Sequence, residues 1–154
     1  MSKFPFNVRV YIILIHHEGK HVLCSDELIH GKPIVKFPGG GLEFGEGPVE
    51  CAHREAMEEL AIEIDNIEHF YTTDFFIQSA FNPAHQVISI YYKAIANESA
   101  KHISWVTSTD EVHLCEETGG KFSWVELGVL NPETMTFPGD QEVVKRFLRL
   151  TSGL

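Results

Sequence analysis

Cysteine is scarce in this chain: Cys24, Cys51 and Cys115 are odd in number and far apart, which argues against a disulfide framework, and none forms a C-x-x-C metal pair. A reducing, cytoplasmic setting is expected. Long apolar runs are missing too. The longest, Val10 to Ile15, is far too short to span a bilayer, and Met1 to Phe6 lacks the charged segment and apolar stretch of a secretory leader, so neither secretion nor membrane insertion is expected. Positive charge is in short supply, with 12 Lys and Arg against 22 Asp and Glu and a net charge of −10. With no Lys/Arg-rich run to match phosphate charges, a nucleic-acid polymer is not an expected partner. A small anionic substrate remains compatible if metal ions bridge it to acidic groups. Nine histidines are present, and His17-Glu18-Gly19-Lys20-His21 has the H-E-x-x-H spacing, but Glu18-Gly19-Lys20 reads as a turn and not as the helix that would bring both histidines to one face. His16 and His17, adjacent in a strand, would face opposite sides, so zinc is not indicated. Neither an internal repeat nor a low-complexity tract occurs.

What is present suits one domain over residues 1–154: 154 residues, 44% hydrophobic and 22% charged, are enough for a sizeable core. Within it, Arg54-Glu55-Ala56-Met57-Glu58-Glu59 packs three carboxylates into five positions. Pro48 predicts a helix start, where its missing N–H costs nothing, and the helix should run to about Leu60. Glu55, Glu58 and Glu59 then share one stripe, while Val49, Ala52, Ala56 and Leu60 form another that faces the core. Cys51 and Met57 read as packing residues. Like charges at this spacing destabilise a bare helix by a few tenths of a kcal/mol per pair, and a divalent cation among them removes the repulsion. Carboxylate oxygens are the hard donors that Mg2+ or Mn2+ prefers, which makes Glu55, Glu58 and Glu59 candidate metal ligands.

Ahead of the helix, Pro38-Gly39-Gly40-Gly41 permits positive φ values and close backbone approach to a ligand. Two familiar phosphate loops do not fit. A P-loop needs Lys and Ser or Thr after its last glycine, whereas Gly45 is followed by Glu46, which repels phosphate. A dinucleotide fingerprint needs G-x-G-x-x-G, and Gly39, Gly41 and Gly45 are spaced otherwise.

The stretch instead resembles the Nudix hydrolase (MutT-like) signature: a glycine, five residues, a glutamate, seven residues, then Arg-Glu-apolar-any-Glu-Glu-any-Gly-apolar. Gly40, Glu46, Arg54, Glu55, Ala56, Glu58, Glu59 and Ile62 stand in register, and Glu43 matches a common elaboration. The one departure is Ala61, where the family has glycine; it touches the turn that ends the helix, not the carboxylates.

The resemblance implies an α/β/α sandwich, a mixed central β-sheet flanked by helices. It also implies a Mg2+- or Mn2+-dependent pyrophosphohydrolase cleaving a nucleoside diphosphate linked to another moiety: a nucleoside triphosphate, ADP-ribose or a nucleotide sugar. In that reading Glu55, Arg54 and Glu58 are the catalytic residues. Glu55, Glu58, Glu59 and the Gly39 carbonyl hold the metal, Arg54 orients a helix glutamate, and Glu46 ties the loop to the helix. The general base is Glu55 or an acid of a distant loop, Glu111, Glu116 or Glu117. Phe81 is a candidate substrate contact, and Glu116 and Glu117 could reach the substrate if their loop swings over the site. Homodimerisation is common in the family. Two alternatives come from other classes: a Nudix-fold nucleotide-binding or regulatory module that does not cleave, and an acidic helix binding Ca2+ for stability alone.

Elsewhere, Val8 to Ile15 reads as a strand apolar on both faces and hence central. Glu18-Gly19-Lys20 is a turn, followed by strands at His21 to Ser25 and Ile34 to Phe37. Ile67 to Ile77 and Gln86 to Ile95 are expected to pair with each other, His102 to Val106 and Phe122 to Val125 to add strands, and Thr107 to Lys121 to form a loop. Asp140 is expected to cap a terminal amphipathic helix. The aromatics Phe75, Phe76, Tyr91, Tyr92, Trp105 and Trp124 read as core at strand spacing.

Overall fold

Strand β1 (Phe6–Ile15) is apolar on both faces because both are covered. In the computed structural model, which describes residues 4–97, 103–106 and 121–152, its Val10, Ile12 and Leu14 pack with Cys51, Ala52, Ala56 and Leu60 of helix α1 (Pro48–Leu60). Its Tyr11 and Ile13 pack on the other side with Val143, Val144 and Phe147 of helix α2 (Pro138–Ser152). Two cores on opposite faces of one mixed sheet make the α/β/α sandwich expected from the sequence.

The sheet order is β5 (Ile64–Thr72), β6 (Gln86–Ala96), β1, β2 (His21–Ile29), β8 (Lys121–Glu126), β7 (Ser104–Val106), with β3 (Lys32–Lys36) paired to β2 and β4 (Gly39–Gly41) to β1. Strands β5 and β6 pair antiparallel as expected. β6, however, has a second partner: it runs parallel to β1 over the whole of β1, from Phe6↔Gln86 to Ile15↔Ile95, which local patterning could not show. β5 also ends at Thr72, not Ile77.

The feature that positions the site is a split between β1 and β2. They pair at Ile15↔Val22 and then part, so the free edge of β1 takes β4 and that of β2 takes β3. The glycine segment is thus a short strand, not a free loop. Gly39 has φ 147°, and a Cβ there would sit 2.1 Å from the Val10 carbonyl oxygen, so this backbone can lie against β1 only as glycine.

Helix α1 has the predicted bounds. Pro48 opens it, and the Glu50 carboxylate accepts from the Gly47 N–H at 3.3 Å. Ala61 closes it in the left-handed region (φ 53°, ψ 40°), its N–H bonding the Met57 carbonyl at 3.0 Å, so the turn is kept without the family's glycine.

Several expectations are corrected. Val49, in the first turn of α1, and Met57 are 40% and 49% exposed and do not pack in the core. Phe75 and Phe76 lie outside strands and are exposed, whereas Tyr91 and Trp124 are buried as expected. Asp140 is not the cap of α2 but lies in its first turn, fully buried. His16 and His17 do not part across a strand, because β1 ends at Ile15 and their rings stand 4.1 Å apart. Cys115 and most of the expected loop from Thr107 to Lys121 lie outside the described residues. No helix among the described residues is long and apolar enough to cross a membrane.

Candidate active site

The parting of β1 and β2 leaves a cavity of about 420 Å3, lined by Arg9 and Tyr11 of β1, Glu27 and Ile29 of β2, Lys36 of β3, Gly39 and Gly40 of β4, Glu55 and Glu59 of α1, and Asp140 of α2. Its outer lip carries Phe81, which is 6.4 Å from the Phe137 ring and 5.7 Å from His30. Phe81 thus lines the same cavity as Glu55 and Glu59.

Glu55 belongs to the helix that packs on the opposite face of the sheet, yet it lines the cavity. It reaches there across Gly40, where a Cβ would lie 2.3 Å from Glu55 Oε1. Arg54 organises the carboxylates around it. Its Nη2 and Nε donate to the two Glu46 oxygens at 2.6 and 2.9 Å, and its Nη1 donates to Glu55 at 3.0 Å and to Glu58 at 3.1 Å. Nη2 also reaches the Gly41 carbonyl at 3.1 Å. This planar fork joins the glycine segment, the loop before the helix and the helix itself. The Arg54 hydrogen bonds hold the Glu46 carboxyl down at about 2.

Glu59 is half-buried in the cavity wall and accepts from the Gly39 N–H at 3.3 Å. Burial, opposed by Lys36 and reinforced by the nearby Glu55 charge, pushes its carboxyl up to about 7. Among the described residues no three His, Cys, Asp or Glu side chains already converge as a metal cage. Glu55 and Glu59 share the cavity, whereas Glu58 lies outside its lining, more exposed and held by Arg54. The donor chemistry nevertheless fits a hard divalent cation: two carboxylates on one helix face, one of them reluctant to ionise without a counter-charge. Glu111, Glu116 and Glu117 lie outside the described residues.

The sequence reading singled out neither Arg9, Tyr11, Glu27 nor Lys36, and saw Asp140 only as a cap. Lys36 Nζ is buried against Glu27 at 3.1 Å. The Tyr91 hydroxyl donates to Asp140 Oδ1 at 2.5 Å, and Tyr91 stacks on Tyr11 at 5.4 Å. One signal was available: Arg9 is the lone charge between Val8 and Ile15.

Comparison with known proteins decides the family, since the NUDIX domain family matches residues 5–147. This chain belongs to the NUDIX domain family. Solved structures with this fold include a MutT protein from Bacillus halodurans, TM-score 0.64 at 20% identity, covering 92% of this chain and 82% of that one. A NUDIX hydrolase from Nitrosomonas europaea matches with TM-score 0.65 at 16% identity, covering 92% and 88%. An RNA pyrophosphohydrolase of Cereibacter sphaeroides is 34% identical over 64 residues, 42% of this chain and 39% of that protein. The match thus covers only 39% of the length of that relative. Members of this family typically use a divalent metal. In the present NUDIX domain the in-register motif residues Glu46, Glu55 and Glu58 are joined by Arg54, Gly40 leaves the space that Glu55 fills, and Glu59 lies in the cavity beside them.

Proposed function

We propose that this NUDIX domain is a Mg2+-dependent pyrophosphohydrolase acting on a nucleoside diphosphate linked to another moiety, in the class of nucleoside triphosphates, ADP-ribose and nucleotide sugars. The observation that carries this reading is the cavity that brings Glu55 and Glu59 together with Arg9 and Lys36, acids for a cation beside cations for phosphate. Glu55, Glu58, Glu59 and the Gly39 carbonyl would hold the metal, Glu55 and Glu59 from the cavity wall. When bound, the ion neutralises phosphoryl oxygens and activates water. Arg54 fixes Glu55 by its 3.0 Å hydrogen bond, so the carboxylate is already oriented for catalysis. The general base would be Glu55 or one of the loop acids Glu111, Glu116 and Glu117. Phe81 and Phe137 offer aromatic faces at the mouth for the base of the substrate.

The test is release of phosphate, pyrophosphate or nucleotide from a panel of nucleoside triphosphates, ADP-ribose, nucleotide sugars, dinucleoside polyphosphates and 5′-triphosphorylated RNA, with Mg2+, Mn2+ or EDTA. Metal-dependent cleavage of one small-nucleotide class is expected. Cleavage of the RNA alone would shift the substrate to a polymer end, and binding without cleavage throughout would make the domain a nucleotide-binding module.

A further inference from the structure

Three cations stand around the carboxylates of the cavity, and they are held differently. Arg54 is spent on Glu46, Glu55, Glu58 and the Gly41 carbonyl. Lys36 is paired with Glu27. Among the described residues Arg9 uses only its Nε, which donates to the Tyr11 hydroxyl at 2.7 Å. None of its nitrogens has a carboxylate within 4.0 Å among the described residues, although the chain has 22 acids for 12 bases. Four of its guanidinium N–H groups have no acceptor among the described residues.

Local structure aims them at the cavity. Arg9 and Tyr11 lie two apart on one face of β1, and the residues opposite them on β4 are Gly41 and Gly39. On the β4 side no side chain crowds the guanidinium, and even a Cβ on Gly41 would lie 4.0 Å from Arg9 Nη1, while on the β6 side its neighbour is the small Ser89. Tyr11 is 6% exposed and stacked on Tyr91, so the hydroxyl that holds Arg9 is itself fixed. A neutral hydroxyl fixes the arginine without cancelling its charge. A rigid planar cation beside two carboxylates, with a fork of free donors, is suited to two oxygens of a phosphoryl group.

We propose that Arg9 binds the phosphoryl oxygens of the substrate in this cavity and that Tyr11 is the positioning residue that sets its fork. The assignment rests on the pyrophosphohydrolase reading for the substrate class, but its binding step can be tested apart from turnover. The rival role is structural, with the Arg9 guanidinium lying 5.6 Å over the Tyr11 ring and merely steadying it.

The probe is inorganic pyrophosphate with Mg2+, titrated calorimetrically into wild type, Arg9→Gln, Arg9→Lys and Tyr11→Phe, each checked by circular dichroism and Tm. Arg9→Gln should weaken pyrophosphate binding about 10- to 100-fold, the range of a lost charge-assisted pair. Arg9→Lys should recover only part of it, since an ammonium cannot present the fork, and Tyr11→Phe should weaken binding less than Arg9→Gln with its Tm near wild type. Where wild type turns over nucleotides, kcat/KM should fall by the same factor whatever the base. If Arg9→Gln does not fold, Arg9→Lys and Tyr11→Phe carry the decision. Wild-type affinity in the folded variants, or no pyrophosphate binding by wild type, would overturn the assignment. Arg9-dependent pyrophosphate binding without cleavage of any nucleotide would keep it and retire the hydrolase reading.

Discussion

Gly40 and Glu55 are complementary in shape: the carboxylate of Glu55 occupies the space a Gly40 side chain would fill, with Oε1 2.3 Å from the position of an added Cβ. This contact lets a residue of α1 serve a cavity on the other side of β1. Gly40→Ala should therefore push Glu55 off the cavity wall. Overpacking of this kind costs about 1–3 kcal/mol, and misplacing a catalytic group by about 1 Å costs on the order of 100-fold in rate. Urea unfolding and steady-state kinetics check both, and full activity in Gly40→Ala would mean Glu55 can work from elsewhere.

Arg54 bridges Glu46, Glu55 and Glu58 through a geometry that lysine cannot copy. Arg54→Lys should retain part of the Tm but lose turnover about 10- to 100-fold, in line with loss of a residue that orients a metal ligand. Arg54→Gln should lower Tm further, because the buried Glu55 carboxylate then has no cation in contact among the described residues. Equal activity of Arg54→Lys and wild type would count against the orienting role.

Ala61 holds a left-handed conformation that its Cβ disfavours. Ala61→Gly should stabilise the protein by about 0.5–1 kcal/mol, the relief of strain being offset by the extra freedom glycine gives the unfolded chain. Activity should not change, since no carboxylate moves. A lower Tm for Ala61→Gly would show that the strain is absent.

What the sequence disclosed and what it did not divide by the range of the interaction. Helix α1, with Pro48 at its start and its carboxylates in one stripe, was legible because capping and periodicity act over a few residues. The two-faced burial of β1 was legible for the same reason, and with it the sandwich. The cavity was not, because it exists only where β1 and β2 part, and Arg9, Lys36 and Asp140 reach it from three separate elements. Asp140 shows the cost of local reading: an acid near a helix start reads as a cap, and only the distant Tyr91 hydroxyl reveals its buried place. Val49 failed in a similar way, since the helix stripe says which way it points but not whether anything lies there.

Glu58 and Glu59, adjacent in the motif, should respond differently to neutralisation. Glu59→Gln removes a charge that burial and Glu55 oppose, so the metal-free protein should gain Tm, and the further gain on adding Mg2+ should shrink. Glu58 is exposed and its pair with Arg54 contributes little, so Glu58→Gln should stay within about 0.5 kcal/mol of wild type. Turnover should drop by orders of magnitude in both. Unchanged activity in both variants would sink the metal assignment.

Asp140 gives the fold a pH dependence of predictable sign. Complete burial, only partly offset by the Tyr91 hydrogen bond, pushes its carboxyl from 3.8 up to about 6. A group raised on folding favours the folded state while it is protonated in both states, so its contribution is full below about pH 4. It is lost as pH rises through about 6, beyond which the buried carboxylate costs about 3 kcal/mol. Asp140→Asn keeps an acceptor for the Tyr91 hydroxyl without the charge. Relative to wild type, the variant should gain stability between pH 4 and 7 and then level off, as read by urea unfolding at each pH. A difference between the two proteins that does not vary with pH would mean that Asp140 titrates in the folded protein as it does in water.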